Sequence, residues 1–157
     1  MRGVIATALA VSVLFYLGGC ERWSLDKQME ELCKKDGGVK VYETVTLPAS
    51  DFSNVGQPLA RYAKLAKSTN DQYGPDYKYV VKEEILIDRN AKGETGKGIL
   101  GRIHFALYRR ADGKLLGESV LYQRGGGDLF TFGFEPSRNA CPRPSADLAL
   151  AIFVKGE

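Results

Sequence analysis

Hydrophobic positions change their spacing along the chain, and each change marks an element. Val4 to Leu17 is an unbroken uncharged run of fourteen residues, preceded by Arg2 and closed by Gly18-Gly19. Leu25, Met29, Leu32 and Cys33 then fall at i, i+4, i+7 and i+8, which predicts one apolar face of a helix over 25–36. Ser24 stands where a helix cap is expected, Lys34-Lys35 where cations favour a helix end, and Gly37-Gly38 where the helix stops. From Val39 the period becomes two. Val39, Val41 and Val45 alternate with Tyr42, Thr44 and Thr46, predicting a strand that Pro48 ends. Residues 48–58 read as loop, and Leu59, Tyr62, Ala63 and Ala66 share the face of a short helix over 59–67.

Three longer strands follow, over Tyr77–Asp88, Gly98–Arg110 and Leu115–Arg124. Residues 89–97 form the first connection and Ala111-Asp112-Gly113-Lys114 a tight second one. They make an antiparallel meander whose helix-facing side is expected to carry Ile99, Ile103, Phe105 and Leu107. Phe130, Phe132 and Phe134 have strand spacing after the turn at Gly125-Gly126-Gly127-Asp128. Residues 135–145 read as irregular, and 147–154 as a last strand or a short helix. The fold class is α+β: an antiparallel meander with an N-terminal helix packed on one face.

The first apolar run is too short to span a bilayer, which needs about 20 residues. Its order of charge, apolar run and small residues is that of a cleaved secretory signal. Leu17-Gly18-Gly19-Cys20 resembles the bacterial lipobox. That resemblance implies a diacylglycerol thioether on Cys20, cleavage before it and acylation, as with palmitate, of the new amino group. Two or more acyl chains hold a protein stably on a membrane. The expected organisation is a leader over 1–19, a lipidated cysteine with a short tether over 20–23, and one domain over 24–157. Glu21 departs from the aspartate that retains such lipoproteins at the inner membrane, so the inner leaflet of the outer membrane is favoured. Trp23 is placed either at headgroup level or against the domain.

Losing Arg2 with the leader takes the formal net charge from +3 to +2, and no cationic block remains. Nucleic acid is therefore not an expected partner. With Cys20 given to lipid, Cys33 and Cys141 are an even pair in an oxidising compartment, and a disulfide between them is expected. Only one histidine exists and no C-x-x-C spacing occurs, so neither a metal nor a cofactor is expected.

Candidate chemistry is thin. His104 needs a partner to act as a base, and Glu83 or Glu84 on the neighbouring strand is the candidate. Ser119 in Gly117-Glu118-Ser119-Val120-Leu121 lacks the G-x-S-x-G elbow. Gly125-Gly126-Gly127 lacks the P-loop lysine and reads as a turn needing positive φ. Tyr73, Tyr77, Tyr79, Tyr108 and Tyr122, with Arg102 and Arg124, are types enriched at protein interfaces. Tyr79, Arg102, His104, Tyr108, Tyr122 and Arg124 form the candidate interaction surface. The stretches Glu31–Gly38 and Val39–Thr44 resemble small proteobacterial lipoproteins, a resemblance that implies no activity. The expected function is a membrane-anchored, non-catalytic module that binds an envelope protein, for example an immunity or inhibitor protein. The alternatives are an envelope hydrolase using Glu84 and His104, or a small-ligand carrier.

Overall fold

The computed structural model describes residues 21–157 except 91, 93, 95, 129–134, 144–146 and 157. The leader, Cys20 and the Phe130–Phe134 strand lie outside the described residues. Among the described residues, no helix is long and apolar enough to cross a membrane.

Helix α1 runs from residue 21, the first described, to residue 36. Residues 21–23, expected as an extended tether, are helical, and Ser24 lies inside the helix rather than capping it. The expected apolar face holds. Leu25 is 0%, Met29 1% and Cys33 7% exposed.

The main sheet has the order β1-β5-β4-β3, with β6 also on β5. Its strands are β1 (Gly38–Val41), β3 (Tyr77–Asp88), β4 (Gly98–Arg109), β5 (Leu115–Gly126) and β6 (Arg138–Cys141). The meander β3-β4-β5 is antiparallel, as the alternation predicts. Strands β1 and β6 lie end to end along the same edge of β5. β1 pairs with Gly117–Val120 and β6 with Tyr122–Gly125. The Cys33–Cys141 disulfide ties the end of α1 to β6, with its Cα atoms 5.9 Å apart.

The expected strand over 39–47 is two strands. β1 leaves the main sheet after Val41, and β2 (Val45–Leu47) pairs in parallel with β7 (Phe153–Lys155). Between them the Tyr42 and Glu43 amides both donate to the Leu116 carbonyl, and Glu43 is drawn to Arg109 and Lys114. These contacts turn the chain where alternation alone would continue it. The helix expected over 59–67 shrinks to α2 (Ala60–Ala63), entered through Leu59 at φ 52°. The final segment is both expected things in turn: α3 (Leu148–Ile152), with Asp147 accepting from the Ala149 amide, and then β7. β6 occupies part of the stretch read as irregular.

Residues paired across a sheet share a face. Leu100 opposes Arg124, Arg102 opposes Tyr122, and His104 opposes Val120. α1 packs on this face, in a core of Leu25, Met29, Cys33, Leu100, Val120 and Tyr122. The expected helix-facing set is therefore corrected. Ile99 is 39% exposed on the other face, and Phe105 and Leu107 face a second core built from Leu47, Leu116, Leu148, Ile152 and Phe153. Counting apolar residues favoured the wrong face for α1, because Arg124 counts as polar yet is buried there. The two covers are offset along the strands. α1 lies over the Gly98 end of β4 on one face, where a Cβ on Gly98 would strike the Leu25 side chain. The α3–β7 layer lies over Phe105 and Leu107 on the other. Among the described residues, each face keeps one uncovered quarter.

Candidate functional site

The first uncovered quarter lies on the α1 face beyond the end of the helix. β4 contributes Arg102, His104 and Tyr108, β3 contributes Lys78, Lys82 and Glu84, and β5 contributes Glu118. His104 is 25% and Glu118 24% exposed, and the His104 Nε2 lies 2.9 Å from a Glu118 carboxylate oxygen. The Tyr42 hydroxyl donates to the other oxygen at 2.5 Å. The hydrogen bond from Tyr42, then that from His104, holds the Glu118 carboxyl below its ordinary range. Beside this cluster Asp36, at the end of α1, accepts from the Tyr122 hydroxyl at 2.7 Å and from Arg102 at 3.4 Å. The Tyr122 bond and the Arg102 charge likewise keep Asp36 low.

His104 is thus partnered by Glu118, not by Glu83 or Glu84. Across the sheet it opposes Lys82, while Glu84 opposes Arg102. Glu83 opposes Ile103 and belongs to the other face. Ser119 opposes Phe105, also on the other face, and is 7% exposed. Ser119 and His104 therefore lie on opposite faces of the sheet and do not meet.

The expected interaction surface is divided by the fold. Arg102, His104 and Tyr108 share the open quarter. Tyr122 is 3% and Arg124 2% exposed, both beneath α1. They are corrected to internal residues, because Asp36 and Asp26 of α1 supply the partners that the Tyr122 hydroxyl and the Arg124 guanidinium need once buried. Tyr79 sits in the second core, 5.3 Å edge-to-face from Tyr73 and stacked near Phe105. Burial pushes the Tyr73 hydroxyl up to about 12 and raises that of Tyr79 as well. Tyr42 and Glu118 were missed. Tyr42 looks in sequence like one more alternating strand residue, and only the turn after Val41 brings it beside Glu118.

The second uncovered quarter is a cleft of about 630 Å³ on the opposite face. Ile85, Ile99 and Ile103 give it an apolar floor, Gly101 and Gly125 deepen it, and Glu83, Arg138 and Arg143 add charge. A Cβ on Gly101 would meet nothing closer than 3.5 Å, so the missing side chain leaves usable space. Its size is that of a small-molecule site. Gly126 and Gly127 take positive φ, at 74° and 84°, as a turn reading of the glycine run requires. Among the described residues no group of three His, Cys, Asp or Glu is placed to hold a metal ion.

The chain matches no protein-family model, no characterised protein and no solved structure.

Proposed function

We propose that this chain is a lipid-anchored envelope lipoprotein whose folded body is a non-catalytic protein-binding module. Acylated Cys20 holds it to the bilayer, at the inner leaflet of the outer membrane, and the open quarter around His104 receives an envelope protein. An immunity or inhibitor protein is one concrete form of this reading. The observation that carries it is the cluster Tyr42–Glu118–His104. Tyr42 is exposed and His104 and Glu118 are partly so, their polar groups already have partners, and the cluster lies away from the anchored end. Leu25 of α1 sits above Gly98, and His104 is roughly 20 Å farther along β4 at 3.3 Å per residue. A body anchored near residue 20 would leave that quarter clear of the membrane.

The test is affinity capture from envelope extract with the lipidated protein, compared with an Arg102→Ala, His104→Ala, Tyr108→Ala variant of unchanged stability. The reading expects a protein enriched by the wild type and lost with the variant. No enrichment over an empty control contradicts it. The cleft favours one second reading, a small-ligand carrier, for which native mass spectrometry would show a copurifying mass. A hydrolase pairing Glu84 with His104 is not favoured, since Glu84 opposes Arg102 and His104 opposes Lys82.

A further inference from the structure

Trp23 is the chain's single tryptophan, and it is 66% exposed. Its position follows from α1. Leu25 points into the core, and two residues on an α-helix differ by about 200° in direction. Trp23 therefore projects from the side of α1 turned away from the sheet, and it does not pack on the domain. The Lys27 ammonium, one turn on, lies 5.4 Å from the ring centroid. Two of the charges near this end are engaged within the domain: Arg22 reaches Asp128 at 3.3 Å, and Glu21 receives Arg89 at 2.8 Å.

We infer that Trp23 and Lys27 form a lipid-contacting surface, a second and non-covalent hold on the same membrane. The inference rests on the Cys20 anchor proposed above. Three residues reach at most about 10 Å, so Trp23 stays within headgroup depth of an acylated Cys20 whatever the backbone does between them. Indoles are favoured at that depth, where the ring is half in hydrocarbon and its N–H still finds a polar partner. Lys27 places an ammonium beside the ring, where it meets lipid phosphate. With Arg22 and Glu21 engaged within the domain, Trp23 and Lys27 are the groups this end turns to lipid. It fixes how the domain stands on the bilayer: a body held by the thioether and by Trp23 has two attachment points and cannot swivel freely.

The lone tryptophan makes the test direct. The mature lipidated protein is incorporated into phosphatidylcholine vesicles, with and without bromine-labelled acyl chains, and floated. Expected are a blue-shifted emission relative to the detergent-free chain lacking lipid, quenching by shallow bromine labels, and shielding from iodide. A protein that floats but keeps a red, iodide-accessible, bromine-insensitive indole overturns this inference alone. A protein that does not float overturns the Cys20 reading, and this inference with it.

Discussion

Arg124 is buried under the N-terminal helix, and Asp26 of that helix holds it: Nε donates to an Asp26 carboxylate oxygen at 2.9 Å. Another guanidinium nitrogen donates to the carbonyls of Gly126 and Ser137, at 2.8 and 2.7 Å. Asn139 donates to the same Asp26 oxygen at 2.9 Å. One aspartate thereby joins α1 to β5 and β6.

Breaking this pair from one side strands a buried cation. Asp26→Ala should cost roughly 2–4 kcal/mol, toward the low end of the range for fully buried pairs because Asp26 keeps 21% of its side chain in solvent. Urea unfolding gives the number. Replacing both partners, Asp26→Leu with Arg124→Met, should recover only part of the loss, since it removes the stranded charge but leaves the Gly126 and Ser137 carbonyls without their Arg124 donor. A single substitution without measurable cost would contradict this role.

Acid should loosen the same seam. Burial raises the Asp26 carboxyl, but the bonds from Arg124 and Asn139 outweigh it and leave it below the ordinary value. Asp36 and Glu118 are lowered by Tyr122 and Tyr42 respectively. A carboxyl depressed in the folded state stabilises the fold above its unfolded pKa of about 4, and that stability fades as pH falls through the folded value. Unfolding free energy should be nearly level above about pH 5 and decline below 4. Asp36→Asn should shallow the decline, and an unchanged acid limb would count against it.

Removing the disulfide frees a long loop. Its cysteines are 108 residues apart, and a Cys33→Ala, Cys141→Ala variant should lose roughly 2–5 kcal/mol. Thermal unfolding with and without reductant should reproduce the difference. A variant as stable as the wild type would mean that β6 and α1 hold together without the link.

Gly126 tests the turn. It has φ 74°, and a Cβ there would stand 2.8 Å from the Lys97 carbonyl oxygen. Gly126→Ala should cost more than about 1 kcal/mol, because strain and clash add. Gly113→Ala also meets a positive φ, 69°, but nothing lies within 4 Å, so it should cost less. Equal costs would mean that the close approach to Lys97 is relieved without effort.

The meander, the apolar face of α1 and the cysteine pair were legible because each rests on a local period or a count. Tyr77–Asp88 is recovered with the bounds its run of β-forming residues predicts. What stayed hidden depends on long-range partners. Arg124 reads as a surface residue in sequence, and only Asp26, far away in the chain, makes its burial possible. The break after Val41 depends on Arg109, Lys114 and the Leu116 carbonyl. The site suffered most. Arg102, His104 and Tyr108 were found together, but Tyr122 and Arg124 share their face only beneath α1, and Tyr42 and Glu118 gave no local signal. The parallel pairing of β2 with β7 joins segments more than a hundred residues apart, and no short pattern announces it.

The most direct test of the account is the intact mass of the mature protein extracted from membranes, alongside a Cys20→Ser variant. A lipidated Cys20 gives a chain beginning at residue 20 and heavier than its sequence by a diacylglyceryl group and one further acyl chain. The Cys20→Ser protein is then neither processed at that bond nor modified. A mature chain with an unmodified residue 20, or a variant matching the wild type in mass and membrane fractionation, would contradict it.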